Sequence, residues 1–446
     1  MPFVDVPPVS YGIWVIGSLV AILIFPRAGV ASHLLVVVLA SICDQYRLQP
    51  QFLAIFLLML AAVSETGTQI ARWFLASLWL WAGLHKMLSP HWFAHAGYWL
   101  VNSVVVNDDI AWKIYWQIAM GVSLAEIATG MLAVIRPGWA AVACLLMHTG
   151  IALILLLIEW NHSVVPWNLA TAIIGFWIMR QIGTTKSLAR QTSPLSRAGA
   201  SVLIAVLMAA PAGFYWGFLD HGYSHVLYSD LLPRGLIVNR DRLVEISGWG
   251  RLRVPFPAER RTLRKYFELV AEDGAKMHVV DPRPALPDQY FLKTGGVVVE
   301  IDAKRFYHQT LNELRGVGLD SRLARFWLKR SGQLVVRPYN DMDHNAGLIT
   351  YAYRMDPDRY NTESLHWLSG LPNLEQLQLD GCPVTDADLE LVARLDGLTG
   401  IGLSNTSITD AGLEKLSSLR NLRILEVENT QVSPMVIAKL KKLLGR

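Results

Sequence analysis

The chain has 446 residues, 52% of them hydrophobic and only 17% charged, with a mean hydropathy of +0.32. Soluble domains carry about 25% charge, so this composition excludes a chain that is soluble throughout. The net charge of +4 gives no reason to expect nucleic acid as a partner, and no disulfide framework can be read from three cysteines.

Apolar runs suited to spanning a bilayer occupy 9–25, 29–42, 51–63, 70–88, 112–135, 138–158, 165–182 and 200–219. The runs 29–42 and 51–63 fall short of the ~20 residues a span needs, so they borrow flanking residues or are re-entrant. The expected count is eight spans, with seven as the alternative. The first ten residues hold Asp5 and no Lys or Arg, so the first run reads as a retained helix rather than a signal peptide. Short connections on one side carry Arg27, Arg72, Arg136 and the cluster from Arg180 to Arg197, whereas the other side carries only Arg47, Lys86 and Lys113. The positive-inside rule makes the first side cytoplasmic. The expected location is therefore a membrane, crossed several times, with everything after residue 220 outside the cytoplasm.

The texture changes at Asp220. "GLIVN", "KMHVVD", "VVVEID" and "QLVVRPY" read as short strands, and "PAERRTLRKYFELVAEDG" as an amphipathic helix stopped by Gly274. Residues 221–345 are expected to form a small α+β domain, after a helical membrane domain at 1–220.

Residues 346–446 contain an internal repeat with a period of 24. Leu374, Leu398 and Leu422 align, as do Leu377, Ile401 and Leu425, and then Leu379, Leu403 and Val427. Thr385-Asp386 matches Thr409-Asp410, the third copy has Ser433-Pro434 there, and "ITYAYRM" around Tyr353 reads as a degenerate first unit. Periods of 20–29 residues with these leucine columns indicate a short α/β leucine-rich-repeat solenoid. A single unit cannot bury its apolar side alone, so stacked units share one core and leave a strand face open to a protein or peptide.

Candidate chemistry concentrates on the outer side of the membrane part. Lys86, in "WLWAGLHKMLSPHWF", ends the fourth run. Facing lipid it reaches up to the head groups; facing the bundle, desolvation makes it a usable base. His85 points about 100° away around the same helix, so the two are not expected to form a dyad. Asn161, His162 and Asn168 lie in and after the outer loop that follows the sixth run. Glu126 and His148 lie at matching distances from the hairpin between the fifth and sixth runs, so a hydrogen bond between them is expected near the bilayer midplane, with Lys86 at a different depth. His91 and His95 have the i, i+4 spacing of a helical metal pair, and so do His221 and His225 in "HGYSH".

"WAGLHKMLSPHWF" and "WNHSVVPWNLATAIIGFW" resemble two related bacterial membrane groups, the DoxX/MauE-like group and the horizontally transferred transmembrane family that includes vitamin K-dependent γ-glutamyl carboxylases. The resemblance covers roughly residues 30–185 and implies that Lys86 is the base that deprotonates a quinone-like lipid. "LEQLQLDGCPVTDADL" and "LTGIGLSNTSITDAGL" resemble the bacterial leucine-rich repeats in which "TDAGL" recurs. Three functions follow as expectations. One is a membrane protein whose outward repeats bind a protein or peptide, the second a carboxylase-like or quinone-linked membrane enzyme, and the third a redox accessory of the DoxX/MauE kind.

Overall fold

The computed structural model describes residues 12–43, 50–89, 92–105, 107–159, 161, 164–181, 194–226, 229, 231–239, 242–246, 256–306, 319–330, 334–338, 351–355, 357, 360–371 and 374–443. It divides into two compact units, 1–88 with 97–235 and 245–270, and 89–96 with 236–244 and 271–446.

The first unit is helical: α1 (Gly12–Ile24), α2 (Pro26–Cys43), α3 (Pro50–Val63), α4 (Glu65–Leu88), α5 (Gly97–Asn102), α6 (Asp108–Ile135), α7 (Pro137–Leu157), α8 (Val165–Gln181), α9 (Pro194–Ala209), continued by a 3-10 turn Ala210–Trp216, and α10 (Arg260–Val270). Proline opens α2, α3, α7 and α9, where its missing N–H is one the first turn leaves unbonded anyway. Asn107 caps α6, its side chain accepting from Ile110 N at 3.0 Å. Among the described residues four helices are long and apolar enough to cross a membrane: Pro26–Cys43, Ile110–Ile135, Pro137–Leu157 and Ala198–Trp216. Gly12–Ile24 and Ala54–Val63 are shorter apolar helices. Leucines, valines and tryptophans stand exposed on their outer sides, among them Leu23 at 84% and Leu146 at 68%, which suits a hydrocarbon surround. The core inside is built from Phe74, Leu75, Leu78, Trp79, Cys144 and Ile178.

Glycine sets how closely α4 and α6 approach. A Cβ on Gly83 would lie 2.5 Å from Ser123 O, and one on Gly130 would lie 2.7 Å from Leu80 N. The two helices therefore run antiparallel in backbone contact, as small residues allow in a bilayer. Arg72 fastens the far end, where its guanidinium donates to Ala133 O at 2.9 and 3.0 Å and to Val134 O at 3.1 Å, satisfying carbonyls that the last turn of α6 leaves open.

In the second unit, β1 (Arg234–Asn239), β2 (Arg242–Glu245), β3 (Lys276–Val280), β4 (Gln289–Thr294) and β5 (Val297–Ile301) form a sheet of order β2-β1-β3-β4-β5. The β4–β5 hairpin turns on Gly295 and Gly296, both at positive φ (57° and 75°), as a two-residue hairpin turn demands. After α11 (Ala303–Phe306) and α12 (Leu319–Arg330) comes a second sheet of β6 (Leu334–Pro338), β7 (Tyr351–Met355), β8 (Leu374–Gln378), β9 (Gly400–Gly402) and β10 (Ile424–Glu426). Strands β7 to β10 are parallel, and helices α13 (Glu363–Leu368), α14 (Asp388–Val392), α15 (Asp410–Lys415) and α16 (Pro434–Leu443) alternate with them. Leu377 pairs with Ile401, which pairs with Leu425, so the 24-residue period is the strand-to-strand step.

The same period governs the loops. Gly381, Asn405 and Asn429 all take positive φ (72°, 57° and 54°), a conformation glycine and asparagine tolerate best. Asp386 accepts from Thr409 N and Oγ1 at 2.8 and 2.6 Å, and Asp410 accepts from Ser433 N at 2.6 Å, so each Asp binds the Thr or Ser one step on. A Cβ on Gly412 would lie 2.1 Å from Asp386 Oδ1, which explains the glycine.

Candidate functional site

Lys86 faces the bundle. Its Nζ donates to both carboxylate oxygens of Glu126, at 2.9 and 2.8 Å, with the two side chains 3% and 9% exposed. Lys86 and Glu126, expected not to pair because they start from different depths, therefore do pair, and the expected Glu126–His148 bond is not formed. Counting residues from the loops places the backbones correctly but ignores the side chains. On the register set by Gly83, Lys86 stands one turn from the level of Glu126, about 6 Å at 1.5 Å per residue. Helical side chains lean toward their own N-terminus. In this antiparallel pair the lysine leans down toward Glu126 and the carboxylate leans up toward Lys86.

His148 belongs to a different chain of hydrogen bonds. Trp79 Nε1–H donates to His148 Nε2 at 2.9 Å, and His148 Nδ1–H donates to Asn168 Oδ1 at 2.8 Å. Asn168 Nδ2–H donates in turn to Val164 O at 3.0 Å. With Nε2 accepting, the imidazole is neutral and both nitrogens are occupied, so this chain ties α4, α7 and α8 together. Asn168 is thus tied to His148, not Lys86. Asn161 sits in the turn before α8 at φ 48°, its carbonyl accepting from Val164 N. His162 lies outside the described residues.

His85 turns away from Lys86. Its Nε2–H donates to Ser224 O at 2.7 Å, Tyr215 Oη lies 2.9 Å from Nδ1, and the rings of Trp81 and Phe214 lie alongside. His91 also lies outside the described residues, and His95 falls in the π-helical turn Trp92–Ala96. His221 donates from N and Nδ1 to Glu259 Oε1 at 2.6 and 2.7 Å, while His225 packs edge-on against Phe74 at 5.4 Å. Burial lowers His225 to about 3, helped by the neighbouring His85, so this imidazole is neutral at physiological pH. Burial and the charge of Glu259 raise Asp220, whose carboxylate accepts from Arg261 Nη2. Among the described residues no group of three His, Cys, Asp or Glu side chains is placed to hold a metal ion.

The second unit presents a polar strand face over a leucine core. Gln378 lies across Gly402, where a Cβ would come 2.4 Å from its Nε2. That amide donates to Asp380 Oδ2 at 2.5 Å and to Glu426 Oε2 at 3.0 Å, bridging β8 to β10. Asp380 Oδ1 accepts from Ser404 N, and Ser404 Oγ from Glu428 N.

Set against known protein families, curated proteins and solved structures, the chain matches none. The functional reading therefore rests on this geometry alone. Sequence reasoning found Lys86, Glu126 and His148 but paired Glu126 with His148 and gave Lys86 no partner. It missed Trp79, whose indole N–H sits two turns before Lys86 on the same helix, and it missed Gln378 as a bridge. The signal for the bridge was Gly402 in the next repeat, which leaves room for a side chain to cross.

Proposed function

We propose that this chain is a multi-pass protein of the bacterial plasma membrane that displays a leucine-rich-repeat module outside the cell to bind a protein or peptide. In this reading the membrane part has eight spans, with 1–220 as the membrane domain, 221–345 as a spacer domain and 346–446 as the repeats. The observation that carries it is the polar row just described: Gln378 at the end of β8 reaches across β9 to Glu426 at the end of β10, and Asp380, Ser404 and Glu428 follow in the loops after β8, β9 and β10. Such a row offers amide and carboxylate groups at one strand spacing, which suits recognition of an extended segment by hydrogen bonds. The buried Lys86–Glu126 pair then serves to fix the register of α4 on α6. Its amine is held by both carboxylate oxygens.

A photo-cross-linking residue placed at Gln378 or Glu426 tests the binding reading in cells. Adducts are expected from both positions and none from Glu414, on the opposite, helical side. Adducts of equal yield from all three, or none at any of them, would remove the reading.

One observation favours the enzyme reading as a second: Lys86 points into the bundle, not into lipid. Acting as a base toward a quinone-like lipid, it would first pass its proton to Glu126, leaving a neutral amine beside a neutral acid. Lys86→Arg keeps the charge and cannot act so, and it separates catalysis from packing. The redox-accessory reading has no Cys-x-x-Cys to support it.

A further inference from the structure

We propose that α10 is an interfacial helix that binds the anionic head groups of membrane lipid, an inference that rests on the membrane reading above. The last apolar helix, Ala198–Trp216, ends in two exposed aromatic side chains, Trp216 at 56% and Phe218 at 81%. Bilayer interfaces collect aromatic residues at this level, whereas a watery surface gives Phe218 nothing to cover it. Immediately beyond, the chain is fastened to the start of α10 at two points. Asp220 accepts from Arg261, and His221 donates twice to Glu259 at 2.6 and 2.7 Å. The start of α10 is therefore held at the level where the last apolar helix ends.

The helix itself is divided. Thr262, Leu263 and Phe267 are buried on its inner side. Arg261, Arg264 and Lys265 lie on the opposite arc, with Arg260 on its flank; Glu268, on the same arc, pairs with Lys265 at 3.3 Å, and Arg261 and Arg264 are exposed. Arg261 belongs to this cationic arc and is also the residue bonded to Asp220, so the arc itself meets the end of the span. Leu269 and Val270, 60% and 49% exposed, add apolar surface at the end of α10. A cationic arc, exposed apolar tips and a tether at the aromatic level are what a helix lying in the head-group layer requires. Guanidinium groups match phosphate oxygens in paired hydrogen bonds, and anionic head groups supply those oxygens in a dense layer.

The test uses the full chain in nanodiscs of phosphatidylcholine, alone or mixed with phosphatidylglycerol, at low salt. Phosphatidylglycerol is expected to raise the thermal midpoint of the wild type by about 3–6 °C. Arg264→Gln with Lys265→Gln should lose at least half of that shift, while Arg420→Gln with Arg423→Gln, exposed in the repeats, keeps it. A wild-type midpoint indifferent to phosphatidylglycerol overturns the inference, and so does a full shift in the α10 variant, which would point to anionic lipid acting elsewhere. Failure of the wild type to enter nanodiscs at all would instead sink the membrane reading beneath it.

Discussion

Lys86→Ala is expected to lower the stability of the membrane unit by about 3–5 kcal/mol, because it leaves the Glu126 carboxylate buried with no cation. Glu126 has a side chain only 9% exposed, so bulk water solvates it poorly. For a unit of this size the thermal midpoint should fall by roughly 10 °C in detergent. Glu126→Ala should do the same from the other side, stranding an ammonium instead. Removing both charges is a different matter. A buried pair repays its desolvation only partly, so a volume-matched apolar replacement is about neutral. Lys86→Met with Glu126→Leu should therefore recover most of the loss. A double variant as unstable as the singles would show that the pair does not act as a unit, and the register role assigned to it would be lost.

The second large effect is steric. Gly83→Val should cost about 3 kcal/mol or more, because the new Cβ meets the backbone of α6 rather than a side chain that could swing aside. The nearest atoms are Ser123 O at 2.5 Å, Ile127 Cγ1 at 2.7 Å and Ile127 N at 2.9 Å; the Ile127 side chain can turn, but the two backbone atoms cannot move without α6 moving. Any such movement also pulls Glu126 away from Lys86. Gly121, on α6 itself, is the control: nothing lies within 4 Å of its Cβ position. Gly121→Ala should cause no loss, since it removes backbone freedom without a clash. Thermal unfolding of both variants in detergent is the measurement. A Gly83→Val protein as stable as wild type would mean that the two helices do not touch at this point.

Much of the architecture could be read from the chain because it depends on local pattern. Long apolar runs reappear as helices, and several begin at the prolines that interrupt the runs. Residues aligned by the 24-residue period, such as Leu377 and Ile401, turn out to be strand partners. The β4–β5 hairpin was legible in principle, since Gly295-Gly296 between two apolar stretches is a two-residue turn signal, yet β4 and β2 were not expected. The site was harder. The identity of its groups could be listed, but not their partners. Lys86 and Glu126 meet because each side chain leans along its helix, and the close approach that lets them meet is made by Gly83 and Gly130, which carry no chemistry of their own. Likewise His148 is claimed by Trp79 and Asn168, and only three-dimensional packing ranks those partners above Glu126.

The central claim is that a membrane bundle holds the repeats on the outer side, where a partner can reach them. Met435, 76% exposed on α16, offers the most direct measurement when converted to cysteine with Cys43→Ser, since Cys144 and Cys382 are buried. The account predicts that Met435→Cys, in the membrane fraction of intact spheroplasts, reacts fully with a membrane-impermeant maleimide before lysis. Reaction only after lysis, or recovery of the protein in the soluble fraction, would contradict it.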